Sequence, residues 1–376
     1  MADGQKKHIT LIVSNVSDIR QFDWVTDPIL AEDYRFSFVL LNVQAGAFER
    51  EVQMLGLSLL SIRYRGKRDL LNAIASMTRF FVQAKPDIVH AHLLDASLAG
   101  LIAACLVRVR HRIYTRHHSN LHYESHCHGI LYDRLVNWMA TRVVATCANG
   151  RRFLVNSEGL SSKKITTLPF GINANDYQQI APSRIRRLSA YYQIDSLWPV
   201  VGMVSRYEKY KGIEYVVGAF KKLLNIYPNA CLVIANAKGR DSESIKKNLK
   251  TLPALSYREI DFESDMYALY QLFDVFAHVP VDPVCEAFGQ VYIESLLAGI
   301  PAIFTMSGIA PEFVKHGKNA LVVPFCDSDA IFNSLCRILQ DSALANRLKT
   351  QGQEDVARQF SKVSMIQNLK QLYQTC

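Results

Sequence analysis

The sequence predicts an α/β protein built from two Rossmann-like domains. The chain has 376 residues, of which 49% are hydrophobic and 20% charged, so it is globular and too long for one ordinary core. Apolar, strand-like runs alternate with helix-period segments from end to end, which is typical of parallel sheets covered by helices. A turn-rich stretch at 169–183 interrupts this alternation, which then resumes. Two successive α/β units are therefore expected.

In the N-terminal half, the strand-like runs are separated by segments long enough to form helices. Leu70–Gln83 and Ala96–Val107 have helical periodicity. The second segment is apolar but shorter than the roughly 20 residues that a membrane-spanning helix needs, so it is expected to be a buried core helix. A first domain is assigned to residues 1–180, with strands at His8–Val13, Phe36–Val43, Asp87–Ala91, Arg112–Thr115, Arg142–Thr146 and Ile165–Leu168.

The alternation resumes after a linker expected at 181–198. A second domain is assigned to residues 199–358, and residues 359–376 form a closing segment. Open α/β sheets bind ligands at the carboxyl ends of their strands, so the expected ligand site is a cleft between the two domains. The strands expected in the second domain are Pro199–Val204, Ala230–Ile234, Val275–Val279, Pro301–Phe304 and Ala320–Val323.

Composition and charge narrow the class of protein. The eight cysteines form no CxxC pair, and the polar N-terminus has no signal-peptide pattern, so a reduced, cytoplasmic location is expected. The net charge of +9 favours polyanionic partners in general. The sequence has two basic clusters, Arg63–Arg68 and Arg108–Arg112. They are either solvated loops or a surface that binds an anionic acceptor or the cytoplasmic face of a membrane. No aromatic and basic stacking platform is evident, which argues against nucleic acid.

Motifs of several large enzyme classes are absent from the sequence. It contains no GxGxxG, no GxxxxGK[ST], no HExxH and no GxSxG. These absences argue against typical dinucleotide-dependent dehydrogenases, P-loop kinases, zincins and serine hydrolases.

The most informative segment is 284–301, VCEAFGQVYIESLLAGIP. Glu286 precedes a turn, Gln290–Ala298 reads as a helix that contains Glu294, and Gly299 ends it. Two carboxylates placed in this way can hold two parts of one elongated ligand, a sugar at one end and a ribose at the other. Between them the Gly289 turn and the helix N-terminus direct backbone N–H groups at the position where a diphosphate fits.

A second constellation follows the strand at 200–204. Its loop contains Arg206 and Lys211 before a helix begins near Gly212. Two cations at the carboxyl end of a strand can hold a pyrophosphate and stabilise the negative charge on a departing nucleoside diphosphate.

Together these residues resemble glycosyltransferase family 4, whose members have the GT-B fold, with two Rossmann-like domains facing each other across a cleft. The E-x7-E motif is matched by Glu286 and Glu294, and the Arg and Lys-Gly pattern by Arg206, Lys211 and Gly212. Further similar stretches are GIAPEFVKHGKNALVVP at 308–324, LPFGINANDY at 168–177, DIVHAH at 87–92, IYTRHHS at 113–119 and FSKVSMIQNLKQLY at 360–373.

The resemblance implies roles for these residues. Glu294 would bind the ribose hydroxyls and Glu286 the hydroxyls of the donor sugar, while Arg206 and Lys211 would hold the diphosphate. Backbone groups near Phe288 and Gly289 would contact the sugar or phosphate, and His117 would approach the donor sugar. The helix within 359–376 would pack back on the N-terminal domain.

The implied activity is that of a retaining hexosyltransferase in polysaccharide biosynthesis. It would move a sugar from a UDP- or GDP-linked donor to a glycan or lipid-linked acceptor, without a bound metal or other cofactor. The acceptor-binding residues cannot be assigned from the sequence. Two alternatives stay open, a non-catalytic protein that binds nucleotide sugars or glycans, and another GT-B reaction such as nucleotide-sugar epimerisation.

Some segments depart from the family pattern or permit another interpretation. Family members commonly have a Gly-Gly loop after the first strand, whereas Ser14–Trp24 contains no glycine. Cys147 and Asn319-Ala320 replace a frequent serine and a frequent Asn-Gly. The run at 112–128 contains His122, His126 and Cys127, which are read either as acceptor-site or ordinary histidines or as a metal site. Asp327-Ser328-Asp329 spells D-x-D and is interpreted as a helix N-cap.

Overall fold

The computed structural model describes residues 6–15, 20–44, 46–117, 127–177 and 179–376. The chain forms two compact units, one of Met1–Pro169 with Val363–Cys376 and one of Phe170–Lys362. The stretch expected as a linker, 181–198, lies within the second unit, where a helix occupies Pro182–Tyr191.

The first unit contains a seven-stranded parallel sheet. Its strand order is β3-β2-β1-β4-β5-β6-β7, and every neighbouring pair is parallel. The chain therefore crosses over between β3 and β4, so the order changes direction between β1 and β4. The strands are β1 Lys7–Ser14, β2 Tyr34–Asn42, β3 Ser58–Arg63, β4 Ile88–His92, β5 His111–Arg116, β6 Arg142–Ala145 and β7 Ile165–Thr167.

Helices cover both faces of this sheet. Side chains alternate along β1, so Ile12 packs in the core beneath the helices at 70–84 and 94–106, while Leu11 and Val13 pack in the core on the other face. The helices are α1 Pro28–Ala31, α2 Ala47–Met54, α3 Leu70–Ala84, α4 Leu94–Leu106, α5 Cys127–Met139 and α6 Ala148–Asn156, with 3₁₀ turns at Arg20–Thr26, Lys67–Asp69 and Ser162–Lys164.

The second unit contains a six-stranded parallel sheet of order β10-β9-β8-β11-β12-β13. The order changes direction between β8 and β11, which are direct neighbours. The strands are β8 Val200–Val204, β9 Cys231–Ala235, β10 Tyr257–Ile260, β11 Val275–His278, β12 Ala302–Phe304 and β13 Leu321–Val322.

The helices of this unit alternate with its strands. They are α7 Pro182–Tyr191, α8 Ile213–Leu223, α9 Ser242–Leu249, α10 Met266–Tyr270, α11 Gln290–Leu297, α12 Ala310–Phe313, α13 Ser328–Gln340 and α14 Ser342–Gln359, with 3₁₀ turns at Ala174–Tyr177 and Lys209–Lys211. The closing helix, α15 Lys362–Gln374, contributes Ile366 and Tyr373 to the core of the first unit.

The α/β fold class predicted from the sequence is confirmed. Each of the apolar runs forms a parallel strand, with ends shifted by at most two residues. The sequence analysis missed β3 and β10. Both are edge strands with partly exposed residues, and the Tyr-Arg-Glu-Ile of β10 has no apolar run that would mark it. Since an edge strand is hydrogen-bonded on one side only, polar residues are tolerated there.

Candidate functional site

The predicted donor residues of the second unit follow the two strands at which its sheet order changes direction. Arg206 and Lys211 lie in the loop after β8, and Glu286 lies in the loop after β11. Such a point is where an open α/β sheet leaves a crevice at its carboxyl edge. The two loops are joined by a backbone bond in which the N–H of Val281 donates to the carbonyl of Tyr210 at 3.0 Å. The fold therefore brings together residues that are 75 positions apart in the chain.

Glu286 is a buried carboxylate that directly contacts the Lys211 ammonium group and is 6% exposed. Nε2 of His278, the last residue of β11, lies 3.1 Å from its Oε1. Burial alone would raise the pKa of Glu286, but Lys211 and His278 outweigh it and lower the pKa to about 2. Burial lowers the pKa of His278, so its imidazole is neutral at physiological pH. The pair Glu286 and Lys211 thus forms a buried ion pair where the sheet order changes direction.

The loop that contains Glu286 is held by short-range contacts. Oδ1 of Asp282 accepts from the N–H groups of Val284 at 2.7 Å and Cys285 at 2.8 Å, which shapes the turn before Glu286. The N–H of Glu286 donates to Oγ of Ser307 at 3.3 Å. These bonds fix the backbone of the loop before any ligand arrives, so little of its conformational entropy remains to be lost on binding.

Phe288 and Gly289 complete this loop and start α11. The Phe288 ring is buried against Phe170 and Phe360, and its carbonyl accepts from Ile309 at 3.0 Å. Gly289 has a φ of +81° and caps α11 without a side-chain hydrogen bond. The first backbone N–H groups of α11 therefore lack a side-chain acceptor in the described part of the chain.

Glu294 lies within α11 and is positioned by two tyrosines. The hydroxyl of Tyr270 donates to its Oε2 at 2.8 Å, and Tyr177 donates to it as well. Burial, with the nearby Glu294 charge, raises the pKa of both phenols above their ordinary value, so they remain donors. Glu294 as a whole is only partly buried.

Tyr210 connects the two predicted cations. Its hydroxyl accepts from a guanidinium N–H of Arg206 at 3.3 Å, and the Lys211 ammonium lies 5.2 Å from the centre of its ring. Arg206 itself is exposed. The tyrosine therefore holds an accessible guanidinium beside the ion pair of Lys211 and Glu286, an arrangement that suits an anionic ligand.

Gly212, which begins α8, is required by the close approach of these loops. Its φ is +71°, and a Cβ atom there would lie 2.0 Å from the carbonyl oxygen of Val279. We expect Gly212→Ala to lower the free energy of unfolding by about 2–3 kcal/mol, measured by urea denaturation. Gly317→Ala is the control, because its φ of +72° is the same but no atom lies within 4 Å of the added Cβ. An equal loss in both variants would show that only the backbone conformation matters.

In the first unit, a histidine cluster lies at the carboxyl ends of β4 and β5. Nδ1 of His92 lies 3.3 Å from Nε2 of His117, and the rings of His90 and His92 are 4.3 Å apart. His90 is bonded to Tyr373 and Thr115 at 2.9 and 2.8 Å. Burial lowers the pKa of His90 to about 3 and that of His92 well below its ordinary range. These two imidazoles are neutral, and Nε2 of His92 is buried without a hydrogen-bond partner among the described residues.

Two family models cover most of the chain. Residues 29–171 match the model described as glycosyl transferase 4-like domain, and residues 188–355 match glycosyl transferases group 1. The chain belongs to the family 4-type glycosyltransferases with the GT-B fold. The family resemblance predicted from the sequence is therefore confirmed.

Individual relatives agree with this assignment. The chain is 26% identical to the capsular polysaccharide biosynthesis glycosyltransferase CapM of Staphylococcus aureus, covering 82% of this chain and 83% of CapM. It is 23% identical to the UDP-Gal:alpha-D-GlcNAc-diphosphoundecaprenol alpha-1,3-galactosyltransferase of Escherichia coli, covering 81% and 79%. Among solved structures, Anabaena HepE in complex with UDP-glucose superposes with a TM-score of 0.82 at 18% identity, covering 98% of this chain and all of HepE. At that identity the likeness shows the fold.

Several other sequence predictions for this glycosyltransferase can be compared with the structure. Asp327 is the N-cap of α13, accepting from the Ala330 N–H at 2.9 Å, so its N-cap interpretation is confirmed. Cys147 is the N-cap of α6, and its sulfur accepts from the Gly150 N–H at 3.2 Å. Asn319 is buried, and its amide donates to the Phe313 carbonyl and to Asp355, both at 2.9 Å.

Two interpretations lie partly or wholly outside the described residues. Residues 16–19 of the segment without Gly-Gly are not described, nor are His122, His126 and the side chain of Cys127. Among the described residues, no group of three or more His, Cys, Asp or Glu side chains is arranged so that it could hold a metal ion. Within the same part of the chain, no helix is both long and apolar enough to cross a membrane.

The sequence analysis missed several residues of the site in this glycosyltransferase. His278 is a polar residue at the end of a buried strand run, a position from which it could have been noticed. Tyr210, Tyr270 and Tyr177 carry no such signal, because their relation to the charged residues depends on the fold.

Proposed function

We propose that this glycosyltransferase moves a sugar from a nucleotide diphosphate donor to a glycan or lipid-linked acceptor, with retention of the anomeric configuration. The observation that carries the proposal is the buried, ionised Glu286, paired with Lys211 where the sheet order of the second unit changes direction. A buried ion pair contributes little to stability by itself. Its place at the carboxyl edge of the sheet instead suits a ligand that carries both hydroxyls and negative charge.

The donor roles follow from the contacts of each residue. A diphosphate bound between Arg206, Lys211 and the first N–H groups of α11 would share the Lys211 ammonium with Glu286. Glu286 has a pKa of about 2, so it stays ionised and accepts hydrogen bonds from sugar hydroxyls. Glu294 would bind the ribose hydroxyls in the same way, with Tyr177 and Tyr270 fixing its orientation.

Catalysis in this arrangement is mainly electrostatic. Breaking the anomeric C–O bond leaves negative charge on the departing diphosphate, which Arg206 and Lys211 stabilise. Oε1 of Glu286 already contacts Lys211 and His278, which argues against a covalent intermediate on this carboxylate. We propose attack on the same face as the leaving group, with the departing phosphate accepting the acceptor's proton. A glycosyl-Glu286 adduct found by mass spectrometry with a slow donor analogue would overturn this mechanism.

The acceptor is proposed from the relatives. CapM is named for capsular polysaccharide biosynthesis, and the Escherichia coli relative is named for a diphosphoundecaprenol-linked acceptor. A glycan or a lipid-linked sugar is therefore the acceptor class that we propose, in polysaccharide biosynthesis, with transfer that needs no bound metal. Undiminished transfer in excess EDTA is the expected result.

The test is a screen of UDP-, GDP- and ADP-linked sugars by thermal shift and donor hydrolysis. One donor class is expected to stabilise the protein, and Arg206→Ala and Glu294→Gln are each expected to weaken its binding roughly tenfold or more. Arg187→Ala and Glu243→Gln are the matched controls, because they change the same charges at exposed positions of the second unit.

Each outcome of the screen separates the alternatives. Hydrolysis that the two site variants lose and the two controls keep supports the transferase. Binding without turnover, even with glycan and lipid-linked acceptors, would support a binding protein. Interconversion of one nucleotide sugar into another without acceptor would support an epimerase. If no donor binds, the proposed function is wrong.

A further inference from the structure

A basic cavity lies at the amino ends of the strands of the first unit's sheet, opposite the histidine cluster at their carboxyl ends. It has a volume of about 590 Å³, within the usual range of ligand pockets. Its lining includes the starts of β1, β4 and β5, whereas His92 and His117 lie at the ends of β4 and β5. At about 3.3 Å per residue, a five-residue strand separates the two places by roughly 15 Å. The cavity is therefore separate from the histidine cluster of the same unit.

The charge of the lining is strongly positive. Lys7, Lys85, Arg108 and Arg110 surround the cavity, and Asp87 is the single acidic side chain among the described residues that line it. Oδ2 of Asp87 already accepts from a backbone N–H at 2.7 Å. In the described part of the chain, no carboxylate lies within ion-pair distance of Lys85, Arg108 or Arg110. Three cations thus face one concave space, and none of them forms an ion pair with a described carboxylate.

Helix ends alone do not account for these cations. Lys85 caps the C-terminus of α3, and Arg108 follows α4, where a cation complements the helix dipole. Each helix C-terminus carries only about half a negative charge, so the ends of α3, α4 and α15 together with Asp87 offset roughly two and a half of the four cations. Nζ of Lys7 donates to the carbonyl of Cys376, just after α15, at 3.2 Å, whereas Arg110 lies beside the start of β5, where no helix dipole requires it. A net positive charge remains in the cavity.

The backbone at Lys85 and Arg108 supports a role for their side chains. Their φ angles are +47° and +58°, in the left-handed region where helices usually end with glycine. A side chain at such a position is strained relative to glycine. Local conformation therefore favours glycine at both positions, yet both carry long cationic side chains that line the same cavity.

The remaining wall of the cavity is apolar. Phe81, Val82, Val107 and Val109 line it, and Val82 is 58% exposed. A small inorganic anion would not use this surface, whereas a phosphate ester with an apolar part would cover it. We propose that this cavity binds a phosphate group that carries an apolar chain or ring, either a soluble phosphate ester or the headgroup of an anionic phospholipid.

The test uses the whole protein and Lys85→Gly/Arg108→Gly. Because glycine suits both backbone positions, this double variant is expected to fold with a Tm close to that of the unchanged protein. Its affinity for octyl phosphate, measured by calorimetry, is expected to fall roughly tenfold or more, since two charged contacts are lost. The unchanged protein should bind octyl phosphate more tightly than inorganic phosphate, because only the former covers the apolar wall.

Two control variants make the result specific. Arg63→Ala/Arg68→Ala removes the same charge from the other basic cluster, where both residues are exposed. Arg206→Ala weakens the proposed diphosphate site of the second unit. Both are expected to keep octyl phosphate binding. An equal loss of affinity for octyl phosphate in Arg63→Ala/Arg68→Ala would mean that only the net charge of the protein matters, and would overturn the proposal. A loss of affinity in Arg206→Ala alone would place the binding at the donor site and would overturn the proposal as well.

Vesicles distinguish the two ligand sources. Flotation with phosphatidylcholine vesicles, with and without phosphatidylglycerol, is measured for the same variants. Binding that requires phosphatidylglycerol and is lost in Lys85→Gly/Arg108→Gly assigns the cavity to a lipid headgroup. Binding of octyl phosphate without vesicle binding assigns it to a soluble ester. If neither octyl phosphate nor the anionic vesicles bind, the proposal is wrong, while donor hydrolysis reports independently on sugar transfer.

Discussion

Replacing Lys211 by methionine is expected to lower the rate of glycosyl transfer about 100- to 1000-fold, which is typical of losing one preorganised group that stabilises transition-state charge. Two effects combine. The diphosphate loses a cation, and Glu286 loses the neighbour that keeps it ionised. Without Lys211, burial would raise the pKa of Glu286 towards and above its ordinary value, so its ability to accept from sugar hydroxyls would weaken. The measurement is kcat and KM with the donor found by the screen.

Lys209→Met is the control for this prediction. Lys209 belongs to the same 3₁₀ turn and is exposed, and its substitution by methionine removes the same charge. It is expected to change kcat by less than about twofold, since exposed charges at a distance are screened. Comparable losses in both variants would contradict the specific role of Lys211.

The acid dependence of stability gives an independent check on this ion pair. The folded-state pKa of Glu286 is about 2, below its ordinary value of 4.5. A carboxylate with a lowered pKa contributes stability above pH 4.5, and that contribution is lost as the pH falls towards 2. Lys211→Met should therefore lose less stability than the unchanged protein between pH 5 and pH 2. A parallel fall in both proteins would mean that Lys211 does not lower the pKa of Glu286.

The strands and the donor motif could be predicted from the sequence because both depend on local patterns. Buried parallel strands are continuous apolar runs, as in Val200–Val204 and Cys231–Ala235. Both ends of the helix that contains Glu294 could be predicted because Gly289 and Gly299 flank it. Both glycines adopt the left-handed conformation that the turns require. A local signal of this kind is present before any tertiary contact forms.

The parts that could not be predicted depend on contacts between distant elements. Tyr270 and Tyr177 donate hydrogen bonds to Glu294 from positions 24 residues away or more. In the sequence, both tyrosines are indistinguishable from ordinary aromatic core residues. The unit boundary at Pro169 depends on packing as well. Turn residues at 169–183 show where the chain leaves one sheet, but only packing shows that Pro182–Tyr191 belongs to the second unit.

The buried charge cluster around Arg116 was likewise not predicted. Arg116 ends β5 and is bonded to Asp133 of α5 at 2.9 Å and to Glu158 at 2.6 Å. Its guanidinium also donates to the Tyr114 hydroxyl at 3.1 Å, and all three charged side chains are almost fully buried. One arginine therefore joins a strand, a helix and a loop immediately before His117.

Arg116→Met is expected to lower the free energy of unfolding by about 3–5 kcal/mol, because it leaves Asp133 and Glu158 buried without their cation. Urea denaturation followed by circular dichroism measures this loss. Arg142→Met, which removes a partly exposed arginine at the start of β6, is the control and is expected to cost about 0.5 kcal/mol or less. A small loss in Arg116→Met would show that the two carboxylates are stabilised by other groups.

The pH dependence of the Arg116→Met variant has a definite sign. Burial raises the pKa of Glu158 above its ordinary value even with Arg116 in place, and removing Arg116 raises it further. A carboxyl whose folded-state pKa exceeds its unfolded value binds its proton more tightly in the folded state, so stability falls as the pH rises through that range. The destabilisation by Arg116→Met should therefore be larger at pH 8 than at pH 5. Adding Asp133→Asn and Glu158→Gln should restore much of the stability and remove this pH dependence, because the buried carboxylates that Arg116 neutralises are then gone. A destabilisation that is the same at both pH values would mean that the lost packing of the arginine side chain, rather than its charge, holds β5 against α5.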